Sequence, residues 1–293
     1  MSGLSVIIPT FNRTKFLTEA VISVLEQTVL PHEILIINDG SSPEFEHDLE
    51  KIASLSPLIE LINNDTQKGV SFSRNQGIEA ASGAFISFLD DDDILEMNFI
   101  KRGIAEFNEN EKADVLISNT DILESGSTQS HGYKHFRKLM RNKSTLVGDE
   151  VNDASFFLTH CPMIHSFIFK NPVIKQFQFP EDLKYGEDMY LWIEMVDSEI
   201  NFKRVDWIGG YFRLHKGNVS SHIDIGEKIN FYEKIVNSGF DLNEHSSFLV
   251  ALRGFYWSLR SGSFSKRYFW SVIKHPVWSL KAIWKRAKIH LHH

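Results

Sequence analysis

The run Phe88-Leu89-Asp90-Asp91-Asp92-Asp93 sets four carboxylates side by side at the end of an apolar stretch. Their mutual repulsion is severe without a cation, and carboxylate oxygens at alternate positions suit Mg²⁺ or Mn²⁺, above all one that also holds phosphate oxygens. Asp also favours helix N-caps, so the run by itself leaves a metal site and a capped helix start both open. Glu187-Asp188 follows Gly186 and begins a helical pattern. A carboxylate there can take a proton from a substrate or simply complement the helix dipole. Asn12 and Arg13 follow one apolar run, and Asn38 and Asp39 follow another. Arg74 can pair with a phosphate or, as a surface arginine, with a nearby Glu. His215 ends Arg213-Leu-His215; with 13 histidines in the chain, its spacing is the only feature that separates it from a structural residue.

The elements that must position these residues are legible in the periodicity. Leu4 to Pro9 reads as a strand, and Phe16, Leu17, Ala20, Val21, Val24 and Leu25 fall at helical spacing. His32 to Asp39 repeats the strand signal, followed by a polar helix around residues 44–54. Ile59–Ile62 predicts a third strand, Gly69–Ala81 a helix, and Ala84–Leu89 a fourth strand. Near-continuous apolar strands alternating with helices predict a parallel, doubly wound α/β sheet, whose ligands sit beyond the carboxyl ends of the strands. The polar segment at about residues 125–160 predicts an acceptor-side loop. Beyond it, Ile164–Phe169 is apolar, Met189–Val196 reads as a helix, Phe202–Val205 and Trp207–Phe212 as two strands, and the rest as mainly helical.

Composition narrows the function classes. The chain has 293 residues, 42% hydrophobic and 24% charged, which excludes disorder and fibrous repeats. Its single cysteine, Cys161, cannot form an intrachain disulfide, and a reducing cytosolic setting fits best. No signal peptide or membrane-spanning helix is predicted. The net charge of -7 is uneven: residues 1–244 carry 22 basic against 38 acidic groups, whereas nine basic residues and no acid follow Glu244. An acidic body argues against a nucleic-acid partner. The basic tail, about residues 253–288, also holds Trp257, Trp270, Trp278 and Trp284, a composition that suits an anionic membrane surface, a packed helical subdomain or a homodimer contact. His290, His292 and His293 receive no role. Neither a dinucleotide GxGxxG after the first strand nor a phosphate loop is present, so some other ligand occupies the expected crevice.

Six segments occur in order over about residues 4–221: Ser5-Val-Ile-Ile-Pro-Thr-Phe-Asn12, Ile37-Asn-Asp-Gly-Ser41, Gly69-Val-Ser-Phe-Ser-Arg-Asn-Gln-Gly77, Phe88-Leu-Asp-Asp-Asp-Asp93, Gly186-Glu-Asp-Met-Tyr-Leu-Trp192 and Tyr211-Phe-Arg-Leu-His215. Together they closely resemble the family 2 glycosyltransferases. The resemblance implies a GT-A fold and inverting transfer from a nucleotide-sugar with Mn²⁺ or Mg²⁺, to which the mainly helical pattern of the remaining residues adds a helical C-terminal extension. It divides the chain into residues 1–222, with a donor-binding half to about 120 and an acceptor half beyond, and an extension at 223–293. It places Pro9, Thr10 and Asn12 in the nucleoside pocket and Asp39 at the pyrimidine N3–H, which favours UDP; locally, Asp39 reads equally as a turn carboxylate. It gives Gly69, Arg74, Asp90 and Asp91 to the donor site, although Gln67-Lys68-Gly69 departs from the family's Asn-x-Gly. It gives the metal to Asp92, with Asp90 and His215, and leaves Asp93 to a helix cap. His215 with Ser220-Ser221 matches an RxHxxSxS pattern. Asp188 becomes the general base, and Glu187 orients the acceptor. The implied acceptor is a glycan or lipid-linked hydroxyl in bacterial surface polysaccharide synthesis, with the protein in the cytoplasm or peripheral at the inner face of the membrane. Two other readings stay beside it. One is a nucleotide-sugar-binding or membrane-scaffold module without turnover; the other is a sugar-phosphate nucleotidyltransferase, for which the loop Thr10-Phe-Asn-Arg13 has neither the glycines nor enough charge to hold a triphosphate.

Overall fold

The computed structural model describes residues 3–123, 150–151, 153–215 and 223–274. In chain order the elements are β1 (Leu4–Thr10), α1 (Thr14–Leu25), β2 (Glu33–Asn38), α2 (Glu46–Ala53), β3 (Ile59–Asn63), α3 (Val70–Ala80), β4 (Phe85–Phe88), β5 (Ile94–Leu95), α4 (Phe99–Glu109) and β6 (Val115–Leu123). They continue with β7 (Glu150–Val151), α5 (Ala154–His160), β8 (Phe167–Lys170), α6 (Asn171–Ile174), α7 (Glu187–Asp197), β9 (Phe202–Arg213), α8 (Ile225–Ser238), α9 (Glu244–Arg260) and α10 (Lys266–Ile273).

The chain divides into two compact units. The first comprises residues 1–152, 162–181 and 199–218, and it holds the whole sheet, nine strands among the described residues. Strand order is β3-β2-β1-β4-β8-β6-β9-β5, with β7 on β9. β3, β2, β1 and β4 are mutually parallel, as their uninterrupted apolar runs predict. All seven residues of β1 are buried, which accounts for a strand without a polar face. Beyond β4 the sheet is mixed: β8 is antiparallel to β4 and β6, while β6 and β9 run parallel. The apolar face of α1 (Leu17, Ala20, Val21, Val24) packs into one core cluster with β1, β2 and α4.

Two sequence expectations change here. The segments Phe202–Val205 and Trp207–Phe212 form one strand, β9, because register shifts opposite Ile117–Thr120 interrupt its pairing while the chain continues. The exposed Asp206 breaks the apolar pattern without ending the strand. Of the expected loop at 125–160, residues 124–149 and 152 lie outside the described residues, while 154–160 form α5, capped by the Asp153 side chain on the Ser155 N–H.

The second unit comprises residues 153–161, 182–198 and 219–293. It joins α5 and α7 to the C-terminal helices α8, α9 and α10, so the helices after residue 222 share a core with Glu187-Asp188. Its core includes Phe157, Trp192, Phe231, Tyr232 and Phe248. Gly186 precedes α7 at φ 73°, and a Cβ there would come within 2.7 Å of the Phe231 ring.

Candidate active site

Parallel pairing of β1 with β2 and β4 brings three carboxyl ends together: Thr10 on β1, Asn38-Asp39 after β2 and Leu89-Asp90 after β4. The Asp39 N–H donates to the Thr10 carbonyl at 2.9 Å, and the Leu89 N–H to the Ile7 carbonyl at 2.9 Å, so the loops leave the sheet in register. Asn12, at φ 53°, ties the first two loops: its N–H donates to Ser41 Oγ at 2.9 Å and its Oδ1 accepts from the Ser42 N–H at 2.8 Å. Asp39 is buried, and its two oxygens accept the N–H groups of Lys68 and Gly69 at 2.9 and 2.8 Å. It anchors the turn before α3, where Gly69 sits at φ 101°. Each oxygen keeps a second lone pair for another donor.

The four aspartates diverge. Asp90 pairs with Arg74 Nη2 at 2.9 Å. Arg74 is buried, not on the surface as its helix position suggests, and lies over the Phe179 ring at 5.3 Å. Asp91 accepts the Thr10 hydroxyl at 2.8 Å and Arg13 Nη1 at 3.2 Å. Burial pushes its carboxyl up to about 7, although Arg13 and Thr10 pull the other way. Asp92 Oδ2 meets Arg13 Nη1 at 2.7 Å and His215 Nε2 at 2.9 Å. Asp93 is not a helix cap: β5 follows it, and α4 begins only at Phe99. Its carboxylate is buried against His165 Nδ1 at 2.8 Å, and its Oδ1 accepts the Arg213 N–H at 2.9 Å. Burial raises the Asp93 carboxyl despite His165. The repulsion that the bare sequence assigns to an added cation is thus relieved in part by Arg13 and Arg74.

Antiparallel pairing of β5 with Tyr211 and Gly210 of β9 delivers Arg213 and His215 to this loop. Arg213 Nε donates to the Asp92 carbonyl at 2.8 Å and Nη2 to Glu19 at 2.6 Å. The His215 ring packs on Phe16 with centroids 4.9 Å apart. Asp92 and His215 therefore converge on one point, whereas the Asp90 carboxylate is directed to Arg74. Ser220-Ser221 lie outside the described residues. A hard carboxylate oxygen beside an imidazole nitrogen fits Mn²⁺ or Mg²⁺, which complete their shells with phosphate oxygens and water. Among the described residues no group of three or more His, Cys, Asp or Glu side chains is placed to hold a metal ion.

Sequence reasoning placed Arg13 after the first strand but gave it no role, and it passed over His165 and Thr120, whose Oγ1 lies 3.2 Å from His165 Nε2. Arg13 had a signal, a cation directly after the first strand opposite an acidic run. His165 had none, because it reaches Asp93 from 72 residues away.

In the second unit, Glu187 and Asp188 form the first turn of α7. Asp188 Oδ1 accepts its own neighbour's N–H, Met189, at 2.6 Å. Tyr185 stands beside this turn, its hydroxyl pushed far up by burial and further by Tyr232, Cys161 and Asp188, against the pull of Arg253.

Residues 5–171 match the family described as Glycosyl transferase family 2. The minor teichoic acid biosynthesis protein GgaB of Bacillus subtilis is 29% identical over 219 residues, 74% of this chain and 23% of GgaB. The Escherichia coli UDP-Glc:alpha-D-GlcNAc-diphosphoundecaprenol beta-1,3-glucosyltransferase WfgD is 27% identical over 222 residues, 75% of this chain and 80% of that protein. S. aureus TarS in complex with UDP-GlcNAc superimposes with a TM-score of 0.66 at 22% identity, over 89% of this chain and 75% of that one. The likeness to TarS establishes a shared fold.

Proposed function

The chain belongs to glycosyltransferase family 2, and from that premise we propose that it moves a sugar, with inversion, from a UDP-sugar to a hydroxyl of a lipid-linked or polysaccharide acceptor in bacterial surface glycan synthesis. The observation that carries the reading is the convergence of Thr10, Asp39, Arg74 and Asp90–Asp92 at the carboxyl ends of β1, β2 and β4, joined there by His215. WfgD, named for UDP-Glc and a diphosphoundecaprenol-linked sugar, and the UDP-GlcNAc complex of TarS support the donor and acceptor classes.

In this reading Pro9, Thr10 and Asn12 line the nucleoside pocket. Asp39 takes the uracil N3–H with the lone pairs its backbone contacts leave. Gly69 and Arg74 meet the diphosphate, with Asp90 steering Arg74 and contacting the ribose, and Asp91 fixes Thr10 and Arg13. A Mn²⁺ or Mg²⁺ held by Asp92 and His215 would neutralise charge on the departing UDP. Asp188 accepts the acceptor's hydroxyl proton as that oxygen attacks the anomeric carbon opposite the nucleotide, and Glu187 orients the acceptor. No covalent enzyme intermediate is needed.

The tail serves as a peripheral membrane contact. Leu259, Phe264, Trp270 and Ile273 are 51%, 57%, 59% and 48% exposed, interleaved with Arg260, Lys266, Arg267 and Lys274. Two residues of the expected contact turn inward: Arg253 packs with Tyr232, and Lys228 covers the Trp257 ring at 4.3 Å. Trp278, Trp284 and the basic residues beyond Lys274 lie outside the described residues. Among the described residues no helix is long and apolar enough to cross a membrane. Release of UDP from a panel of UDP-sugars, with calorimetric UDP binding alongside, tests the reading: a module that only binds would take up UDP without releasing any from a UDP-sugar.

A further inference from the structure

Arg13 stands between the loop after β1 and the first turn of α1, and its side chain does not cap that helix. Its Nη1 reaches two carboxylates, Asp92 Oδ2 at 2.7 Å and Asp91 Oδ1 at 3.2 Å, and the same Asp92 oxygen lies 2.9 Å from His215 Nε2. All four residues belong to the first unit. A carboxylate oxygen offers two lone pairs, so Arg13 and the His215 ring between them occupy the bonding directions of Oδ2. A divalent cation held by Oδ2 and Nε2 therefore has to take that oxygen from Arg13, whose guanidinium cannot shed its proton to make way. The members of the cluster differ in freedom. Asp91 is held by the Thr10 hydroxyl at 2.8 Å, the Asp92 carbonyl by Arg213 Nε at 2.8 Å, and the His215 ring by Phe16. The Arg13 side chain is 28% exposed, against 9% and 10% for Asp91 and Asp92. The carboxylates and the imidazole are fixed from behind, whereas the guanidinium, on a long stem open to solvent, is the member that can leave.

We propose that Arg13 competes with the divalent cation for Asp92 and yields it when the donor's diphosphate offers the guanidinium another anion, so that cation and diphosphate bind together rather than singly. The assignment rests on the glycosyltransferase reading and adds to it a coupling between the donor's two charged parts. A guanidinium fork suits a pair of phosphate oxygens as well as it suits two carboxylates. The exchange strands no charge: Asp91 and Asp92 keep a cation beside them, and Arg13 keeps an anion. The consequence is reciprocal, since whatever factor the diphosphate adds to cation affinity, the cation adds to diphosphate affinity. Without the guanidinium, the cation has no rival at Asp92 and its binding loses much of that dependence.

The test titrates Mn²⁺ alone into the full chain at fixed pH, counting free ion by electron paramagnetic resonance, and reads the coupling from calorimetry of UDP with and without Mn²⁺. Wild type binds Mn²⁺ alone weakly, and Mn²⁺ tightens its UDP binding by roughly tenfold or more. Arg13→Gln binds Mn²⁺ alone roughly tenfold more tightly than wild type, and the effect of Mn²⁺ on its UDP binding shrinks. Arg13→Lys retains a cation and stays near wild type, and Arg102→Gln, the same charge change on α4, alters neither quantity. Mn²⁺ affinity in Arg13→Gln at or below the wild-type value overturns the competition, as does equal tightening in Arg102→Gln. An undiminished effect of Mn²⁺ on UDP binding in Arg13→Gln overturns the exchange onto the diphosphate. Should Arg13→Gln fail to fold, judged by circular dichroism, the wild-type chain decides: UDP affinity that is the same with and without Mn²⁺ is then the overturning result. A wild-type chain that binds no UDP under either condition speaks instead against the donor reading, while the comparison of Mn²⁺ affinities without nucleotide still decides the competition.

Discussion

His215 Nε2 and Arg13 Nη1 meet the same oxygen of Asp92, at 2.9 and 2.7 Å. Segments 123 residues apart thereby share one carboxylate: the acidic loop after β4 and the end of β9. The geometry makes Asp92 the hinge of the proposed phosphate and cation chemistry, with protein cations already gathered around it.

Asp92→Asn keeps the shape and removes the charge. UDP binding should lose its dependence on Mn²⁺, and UDP release from a UDP-sugar should fall by roughly 10²–10³. Calorimetry with and without Mn²⁺, paired with the release assay, reads both. Near-wild-type release in Mn²⁺ would remove Asp92 from the cation site.

Asp188→Asn retains an oxygen to accept the Met189 N–H but cannot hold a substrate proton at neutral pH. Its kcat should drop by roughly 10²–10⁴ while UDP affinity barely changes. Loss of UDP affinity with kcat intact would place Asp188 in donor binding instead.

The parallel half of the fold was legible because β1, β2 and β4 are buried on both faces, which forces uninterrupted apolar runs that end where the polar residues begin. The distribution of work among Asp90–Asp93 was not. Which carboxylate meets Arg74, Arg13, His215 or His165 depends on chain crossings that local spacing does not encode. Asp93 reads as a cap in any window of ten residues, yet its partners arrive from far along the chain, His165 from the turn before β8 and Arg213 from the end of β9. The tail shows the same limit: nine basic residues look alike in sequence, and only packing separates the half-buried Arg253 from the outward Lys266.

His165→Ala should strand the Asp93 carboxylate in the interior, costing about 3–5 kcal/mol. Urea unfolding measures it. A double-mutant cycle with Asp93→Asn should show strong non-additivity, since removing the second partner then costs little more. Additive losses would mean that the two residues act independently.

Asp153 caps α5 and also accepts the Ser246 hydroxyl at 2.6 Å. Burial pushes its carboxyl up, but the bonds from Ser155, Ser246 and Asn243 outweigh burial and hold it below the ordinary range. With the folded pKa below the unfolded one, the ionised carboxylate adds stability above about pH 4, and that contribution is lost as pH falls through the folded value. Asp153→Ala should therefore cost about 0.5–2 kcal/mol at pH 7, and its deficit relative to wild type should shrink by pH 3. A deficit independent of pH would mean that helix capping by the charge is not what Asp153 contributes.

The exposed apolar and basic residues of α10 predict salt-sensitive binding to anionic liposomes. Each basic residue near an anionic leaflet contributes about 1 kcal/mol, and screening shortens to roughly 3 Å at 1 M salt. Deleting everything after Glu244 is the wrong test, because α9 buries Phe248, Val250 and Ala251 in the second unit and its loss would unfold that unit. The combined variant Lys266→Gln, Trp270→Ser, Lys274→Gln alters side chains that α10 and its end leave at the surface. It should keep the wild-type circular dichroism spectrum and sediment less with phosphatidylglycerol vesicles, while wild type sediments with those vesicles at low salt and not with phosphatidylcholine vesicles. Equal sedimentation of variant and wild type, or equal binding of wild type to both lipids, would assign the exposed face of α10 to a protein contact, which sedimentation equilibrium would then detect as a dimer.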